Sequence, residues 1–459
     1  MTPSPPAAAT APVYGKIIRN IVPLLFIGYV VSFLDRVNVG FAKLQMASDL
    51  AFSDAVYGFG AGVFFIGYFL FEVPSNLVLA RVGARLWMAR IMLTWGVISC
   101  LFMFLGDFRW GGMAQGLHLT DAEFGFYLLR FLLGAAEAGF YPGVILYLTY
   151  WFPASQRANV IALFMTAVGV SSVIGAPLSG AILQFADGLF SLRGWQWLFL
   201  LEALPSVLTG IAFLIMLPDR PSAAKWLSPA EAAAVTADIQ AEDRSRSRAT
   251  LVSAGHAFTS LRIWIFALSY MTGTIAIYAV SFWIPTIVQN LGIPPGDYFR
   301  VGLLSMIPWT VMIIVQVIWA RHSDRTRERR WHSCAGNAMA AIGLAMLAVW
   351  PQSPVLALTG LSLVTAGCGC SVVTFWPMPQ SLFAGTAAAA GIALINSMGA
   401  LGGYIGPMLI GQIRTANHGD ASVAFIALAV IAALGGILVL VASKGLHDQT
   451  AEGGQRVRP

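Results

Sequence analysis

Two oppositely charged residues stand side by side in a long apolar stretch near the N-terminus, within SFLDRVN at positions 32–38. Asp35 and Arg36 are the only charged residues between Arg19 and Lys43. A helix rises about 1.5 Å per residue, so a segment of this length crosses a bilayer core of about 30 Å. Charged groups cost about 2.5–3.5 kcal/mol inside a membrane and mark functional positions. The pair is therefore predicted to do chemistry within a membrane helix.

A second charged pair, Arg130 and Glu137, lies in another apolar segment. Seven residues of helix turn about 700°, so both side chains project from one face, about 10 Å apart along the axis. Asp35 and Arg36 are adjacent, point about 100° apart, and cannot both face one partner. A buried arginine can bind a carboxylate through two parallel hydrogen bonds, and acids beside it can take up protons. The alternative is two buried ion pairs that only hold helices together.

The chain as a whole has the composition of a membrane protein. It has 459 residues, of which 58% are hydrophobic and 10% charged, with a mean hydropathy of +0.74. A soluble protein is about a quarter charged. The apolar segments run near twenty residues without the alternation of a membrane barrel, so an all-α polytopic fold is predicted. Its twelve spans are roughly 17–42, 57–80, 87–106, 122–147, 157–185, 195–217, 261–290, 300–320, 333–350, 355–380, 387–413 and 422–443.

The basic residues predict the orientation of these spans. An even number of spans places both termini on one side. If that side is the cytoplasm, about twenty Lys and Arg lie inside, two within spans and five outside, as the positive-inside rule requires. This predicts that both termini are cytoplasmic, and the expected location is the plasma membrane (the bacterial inner membrane). It also explains the net charge of +6 without a nucleic-acid partner.

The domain organisation follows from the longest polar stretch, which lies midway along the chain and contains a helix-capping pattern, Ser228-Pro229-Ala230-Glu231. Residues 161–182 align without gaps with residues 392–413 and share Ile-Ala-Leu and Ile-Gly, which indicates a duplicated six-helix unit. The predicted segments are a disordered tail (1–15), a six-helix bundle (16–217), a cytoplasmic linker with a short helix (218–260), a second six-helix bundle (261–443) and another disordered tail (444–459).

Six segments together resemble a known family, the anion:cation symporters of the major facilitator superfamily, whose members include permeases for phthalate, tartrate, 4-hydroxyphenylacetate and sugar acids. The resemblance covers about residues 15–445. It is carried by FLDRVNVGFA (33–42), GVFFIGYFLFEVPSNLVLARVGAR (62–85), RFLLGAAEAGFYPG (130–143), WFPASQRA (151–158), SDRTRERRWH (323–332) and GIALINSMGALGGYIGP (391–407).

The resemblance implies roles for individual residues. In the family, acids on the first and fourth helices are implicated in protonation, which falls on Asp35 and Glu137. The arginine after the first acid is implicated in anion binding, which falls on Arg36. Positions implicated in substrate contact correspond to Tyr68 and Asn396. For the last two, core packing and interhelical hydrogen bonding remain as alternatives.

Other candidates complete the predicted site. Arg130 is a substrate-binding candidate, and Tyr270 and Trp376 are candidates for aromatic contacts from the second half, with core packing as their alternative. The loop between the second and third spans resembles the superfamily's gating motif, with its counterpart in the second half. These motif residues are Arg81, Gly83, Arg85, Asp324 and Arg325.

These observations predict a secondary active transporter and not an enzyme: a proton-coupled symporter that takes up a small organic carboxylate by alternating access. The sequence has no GxxxxGK[ST] loop and no metal, haem or flavin motif. No metal or cofactor is therefore expected, and the proton gradient is the expected energy source. The protein is expected to be a monomer in the lipid bilayer, with an aromatic or small hydroxy acid as substrate. The alternatives are an organic-anion exchanger, an exporter of the same fold, and a non-transporting membrane sensor.

Overall fold

The computed structural model describes residues 11–246, 258–382 and 385–445. The predicted disordered tails fall mostly outside the described residues, at 1–10 and 446–459, as do residues 247–257 of the predicted linker. Apart from three short 3-10 turns, the elements of the described chain are α-helices. The all-α prediction is therefore confirmed.

Sixteen α-helices follow one another in the described chain. They are α1 (Ala11–Asp49), α2 (Asp54–Val82), α3 (Ala84–Leu101), α4 (Gly112–Gly116), α5 (Asp121–Glu137), α6 (Phe140–Thr149), α7 (Ala154–Phe185), α8 (Gly194–Met216), α9 (Pro229–Arg246), α10 (Leu261–Gln289), α11 (Tyr298–Thr326), α12 (Arg330–Val349), α13 (Pro354–Phe375), α14 (Pro377–Gln380), α15 (Gly385–Ala416) and α16 (Ser422–Ala442).

Within the described ranges, twelve helical segments are long and apolar enough to cross a membrane, which confirms the predicted number. Two of these spans are built from two helices each: α5 and α6 form the fourth span, Asp121–Thr149, and α13 and α14 form the tenth, Pro354–Gln380. The two-part construction of the fourth span was not predicted.

The chain forms two compact units, which are described separately. Among the described residues, unit 1 comprises 11–38, 67–172 and 196–246, and unit 2 comprises 39–66, 173–195, 258–382 and 385–445. Three long helices, α1, α2 and α7, are divided between the units, and α8 contributes its first two residues to unit 2.

Helix α1 begins at Ala11, whereas the sequence predicted a tail through residue 15. Contacts with the linker helix α9 explain the difference: the Tyr14 hydroxyl donates to Asp238 Oδ2 at 2.9 Å, and Lys16 Nζ lies 3.1 Å from Glu231 Oε2. The predicted capping box at the start of α9 is confirmed. Glu231 N donates to Ser228 Oγ at 3.2 Å, and Ser228 N donates to Glu231 Oε2 at 2.7 Å.

The fourth span is interrupted at Gly139, whose φ of 91° ends one helix and starts the next. An L side chain is strained at this φ, and a Cβ on Gly139 would lie 2.3 Å from Ser75 Oγ. Pro142 falls in the first turn of α6, where its missing N–H is not needed for an intrahelical bond. The break makes Glu137 the last residue of α5.

Candidate anion and proton site

The centre of the candidate site is an ion pair between Arg36 on α1 and Glu137 at the end of α5. Arg36 Nη2 donates to Glu137 Oε1, and the two side chains are 11% and 2% exposed. Ser32, one turn before Arg36, donates its hydroxyl to the same oxygen at 2.9 Å. The intramembrane arginine is therefore matched by a carboxylate of the protein itself.

The interruption of the fourth span helps to position this pair. The last carbonyls of a helix carry partial negative charge, which favours a cation at the end of α5. Arg36 thus lies where both the Glu137 carboxylate and the helix end attract it. Breaks of this kind recur at substrate and ion sites of transporters, because they expose backbone groups at membrane depth.

Asp35 lies in a separate hydrogen-bond network, in which all four donors are neutral. Its Oδ2 accepts from Trp95 Nε1 at 2.8 Å and from Ser206 Oγ at 2.8 Å. Its Oδ1 accepts from Ser99 Oγ at 3.1 Å and from Asn38 Nδ2 at 3.3 Å. Asp35 and its donors are each 0–1% exposed, so protein groups take the place of water around this carboxylate.

The two adjacent charges of α1 thus face different partners, as their spacing requires. Arg36 contacts the end of α5, whereas Asp35 contacts α3 and α8. Sequence reasoning missed the donors on those helices. The sequence gives only a weak indication of these donors. Trp95 and Ser99 are spaced i, i+4 on one face of α3, but this spacing does not identify the acceptor of their hydrogen bonds.

Tyr68 and Arg130, the other first-half candidates, also belong to unit 1. The Arg36 guanidinium carbon lies 5.6 Å from the centroid of the Tyr68 ring, a cation–π distance. Arg130 is 1% exposed on α5, two turns before Glu137. The four charged candidates of unit 1, which are Asp35, Arg36, Arg130 and Glu137, are buried or nearly buried, and their formal charges sum to zero.

The second-half candidates lie in unit 2. Tyr270 on α10 packs edge-on against Trp376 with ring centroids 5.0 Å apart, and it stacks on Phe375 at 5.4 Å. Asn396 is half-buried on α15, and its neighbour Ile395 packs in the same apolar cluster as these rings. Tyr270 and Trp376 are thus brought together, in a setting that also satisfies core packing.

The predicted motif between the second and third spans is the turn between α2 and α3 in unit 1. Gly83 occupies it with φ 101°. Arg85 N donates to Asp219 Oδ1 at 3.1 Å, and its Nε lies 3.6 Å from Asp219 Oδ2. Arg81 is exposed in the last turn of α2. Asp219, which follows α8, was not predicted as the partner of this motif.

The counterpart motif lies at the end of α11 in unit 2. Asp324 accepts from Arg329 Nη2 at 2.9 Å across the turn to α12, and Arg325 is exposed in the last turn of α11. The next acid, Glu328, accepts from the backbone N–H groups of Trp331 and His332 at 2.7 and 3.2 Å. These contacts fix the first turn of α12.

Within residues 11–246, 258–382 and 385–445, the structure has no group of three or more His, Cys, Asp or Glu placed to hold a metal ion. All four cysteines are free thiols.

Twelve candidate membrane-spanning helices with buried charges inside the spans define a polytopic membrane protein. The chain belongs to the major facilitator superfamily, whose family model matches residues 25–407. The predicted superfamily is thereby confirmed, as is the prediction that the protein is a transporter and not an enzyme.

Relatives of known name cover nearly the whole chain. A protein of Agrobacterium vitis named "Putative tartrate transporter" is 45% identical over 445 residues, 96% of this chain and 94% of the relative. NicT of Pseudomonas putida KT2440, named as a metabolite transport protein, is 43% identical over 404 residues and 88% of each chain. These bacterial transporters and the twelve apolar helices indicate a multi-pass inner membrane protein.

A solved structure shares the fold. The xylose transporter XylE from E. coli, in an inward-open conformation, superposes with a TM-score of 0.73 at 16% identity. The match covers 95% of this chain and 99% of that one. At this identity the likeness shows the fold alone.

Proposed function

We propose that this protein is a proton-coupled symporter that takes up a small organic carboxylate. The observation that carries the proposal is the buried pair of Arg36 and Glu137, because one side chain is suited to bind an anion and the other to bind a proton. The protein needs no cofactor in this proposal, since the proton gradient is the energy source.

Competition for the arginine explains how the two ligands are coupled. When Glu137 is ionised, its carboxylate occupies Arg36. A proton on Glu137 removes that negative charge, and the guanidinium then has donors for a carboxylate of the substrate. Binding of the proton therefore favours binding of the anion, and linkage requires the reverse to hold equally. Asp35 is a second proton site in this scheme.

The substrate class is proposed from charge and from the relatives. Tartrate is a small hydroxy acid with two carboxylates, and unit 1 holds two buried arginines, Arg36 and Arg130. The relative at 45% identity whose name mentions tartrate supports this class. Tyr68, over the Arg36 guanidinium, and the aromatic cluster at Tyr270 and Trp376 are proposed as further contacts.

The direct test uses purified protein in liposomes that contain a trapped pH dye, with the membrane potential clamped. Tartrate, phthalate, 4-hydroxyphenylacetate and galactonate are added in turn, with xylose as the neutral control. We expect one of the acids to acidify the lumen and xylose to have no effect. Exchange of a labelled acid with no lumenal pH change would refute symport and identify an exchanger.

Glu137→Gln tests the coupling of substrate uptake to protons separately from correct folding, which substrate exchange reports. The glutamine imitates a protonated glutamate, so we expect proton-driven uptake to be lost while exchange of labelled substrate across the membrane continues. Glu202→Gln is the matched control, because Glu202 is also a buried acid of unit 1, 2% exposed, on α8. Equal behaviour of the two variants would contradict the role proposed for Glu137.

A further inference from the structure

Asp35 accepts four hydrogen bonds from residues to which no sequence motif assigns a role. We infer that Trp95, Ser99 and Ser206 are positioning residues that set the pH at which Asp35 exchanges a proton with the transport cycle. The inference rests on the proposed proton coupling. Besides the neutral donors on α3 and α8, the titratable groups that interact electrostatically with Asp35 are Glu137 at the end of α5 and Cys100 on α3.

The donors differ in what they can do when Asp35 gains a proton. An ionised carboxylate accepts from all of them. A protonated carboxyl group must itself donate, and a serine hydroxyl can turn to accept that proton. The indole N–H of Trp95 is a donor only and cannot accept the new proton, so it stabilises the ionised form more than the protonated form. Trp95 and Ser206 share the same oxygen, Oδ2, both at 2.8 Å.

The difference between the tryptophan and serine donors matters because Asp35 and its donors are buried. Trp95 and Ser206 are 0% exposed, and Asp35 is 1% exposed. Bulk water therefore cannot replace a donor that is removed, and the ionised form loses the full hydrogen bond. Removing Trp95 Nε1 therefore penalises the ionised form more than the protonated form, whereas removing the Ser206 hydroxyl also takes a possible acceptor from the protonated form.

Trp95→Phe keeps an aromatic ring and removes the donor. We expect the pH dependence of substrate exchange to move toward higher pH by about one to two pH units, the worth of one hydrogen bond to a charged group. Ser206→Ala is expected to move the profile less than Trp95→Phe. A purely structural role would lower the rate at every pH and leave the profile in place.

The experiment measures exchange of labelled substrate in liposomes across a pH series. Trp87→Phe is the matched control, because Trp87 lies on the same helix and donates its Nε1 to Ser75 Oγ at 3.0 Å, away from Asp35. If Trp95→Phe does not fold, Ser99→Ala tests the same carboxylate through its Oδ1. In the Asp35→Asn background, Trp95→Phe should cause no further shift.

The outcomes separate this inference from the proposed function. A wild-type protein that moves no protons would refute the symport proposal, whatever the variants do. A proton-coupled wild type whose profile is unchanged by Trp95→Phe would refute the positioning role alone.

A separate cluster of charged side chains in unit 2 supports a second inference. The Asp54 carboxylate bridges two cations: Lys43 Nζ lies 2.8 Å from its Oδ1, and Arg414 Nε lies 2.8 Å from its Oδ2. The two cationic side chains are 8% and 13% exposed. The Trp283 ring faces both, with its centroid 4.5 Å from Lys43 Nζ and 5.3 Å from the Arg414 guanidinium carbon.

The backbone beside this cluster is closely packed. Ala55 N, at the start of α2, donates to Thr415 Oγ1 at 2.8 Å. One turn further on, a Cβ on Gly58 would lie 2.6 Å from Pro407 O and 3.0 Å from Gly411 Cα. Helices α2 and α15 therefore meet with no side chain between them at this point.

We infer that Asp54, Lys43 and Arg414 form a latch that closes the end of the protein predicted to be extracellular. The cluster joins the ends of α1 and α2 to the ends of α10 and α15, which belong to different repeats in the predicted duplication. Transporters of this fold alternate by rocking one repeat against the other. Opening must therefore break the Asp54–Arg414 contact, while Asp54 stays with Lys43 on the adjoining helix.

Accessibility of position 286 tests the latch without any assumption about substrate or protons, because Thr286 is 7% exposed and its hydroxyl lies 3.5 Å from Lys43 Nζ. In spheroplasts, Asp54→Asn combined with Thr286→Cys should react with a membrane-impermeant maleimide about tenfold faster than Thr286→Cys alone. The matched control is Asp49→Asn, which breaks an ion pair with Arg193 at 2.8 Å that joins α1 only to the loop before α8. Equal labelling with Asp54→Asn and Asp49→Asn would overturn the latch.

A cross-link gives a second measurement. Ala55→Cys with Thr415→Cys should form a disulfide under mild oxidation, stop transport, and recover with a reductant. The two single-cysteine variants are the controls, and neither should lose transport under the same oxidation. Unimpaired transport by the fully cross-linked protein would also overturn the latch.

Discussion

Arg36 and Glu137, 101 positions apart in the sequence, meet at the interruption of the fourth span. The arginine comes from the middle of a continuous helix, and the acid from the last residue of a helix that ends inside its span. The pair therefore joins a rigid element to a break in the backbone. Any movement of α1 against the end of α5 changes the distance between the proposed anion-binding group and the proposed proton-binding group.

Arg36→Lys tests whether the planar guanidinium matters beyond its charge. Lysine keeps the positive charge but cannot form two parallel hydrogen bonds with one carboxylate. We expect the KM for the transported acid to rise about 10- to 100-fold, the worth of one charge-assisted hydrogen bond. Uptake of labelled acid against concentration measures it. An unchanged KM would place the substrate away from Arg36. The control is Arg109→Lys, because Arg109 lies in an exposed loop.

Gly139→Ala tests the break of the fourth span. The residue has φ 91°, and the added Cβ would lie 2.3 Å from Ser75 Oγ, so both the backbone and the packing are strained. We expect the free energy of unfolding to fall by about 1–3 kcal/mol. The melting temperature of the detergent-solubilised protein measures this loss. Gly112→Ala is the control, because a Cβ there has nothing within 4 Å, and an equal melting temperature for both variants would contradict the argument.

The sequence predicted the fold well because membrane helices are defined by local composition. Twelve apolar segments of the necessary length were visible without any tertiary information, and all were found. The capping box at Ser228 and Glu231 was also predictable, since its contacts span only three residues. The break at Gly139 was missed because glycine is common in membrane helices, and only the contact with Ser75 shows why this glycine is needed.

The candidate site was predictable only in part. Charged residues within apolar spans stand out because burial of charge is costly, so the sequence predicts Asp35, Arg36 and Glu137 as candidates. The donors to Asp35 were not, because Trp95 and Ser206 are ordinary in apolar helices and lie 60 and 171 positions away from it. The distant partners of a charge depend on helix packing, which one sequence does not reveal.

Gly399→Ala tests the proposed contribution of Tyr270 to substrate binding. A Cβ at this position of α15 would lie 2.5 Å from the Tyr270 ring, which must then move. If Tyr270 contacts the substrate, we expect the KM to rise several-fold with little change in maximal rate, because the variant alters a binding contact. Gly273→Ala on α10 is the matched control, with nothing within 4 Å of its Cβ. Equal KM values for the two variants would assign Tyr270 to core packing.

Glu328 predicts a pH dependence of stability at the turn between α11 and α12, outside the membrane spans. Burial acts to raise the pKa of Glu328, but the N–H groups of Trp331 and His332 and the His332 ring outweigh it and hold that pKa below its ordinary value. The ionised carboxylate therefore adds stability above the ordinary pKa of a glutamate, and this stability is lost as pH falls through the lowered value.

Glu328→Gln removes the titrating group but keeps a side-chain acceptor for the first turn of α12. We expect the variant to melt at a lower temperature than the wild type near neutral pH and the difference to shrink on acidification. Melting curves at a series of pH values measure this. Glu123→Gln is the control, since that acid caps α5 in a similar way and has no histidine partner among its hydrogen bonds. A difference in melting temperature that grows as the pH falls would contradict the sign of the Glu328 contribution.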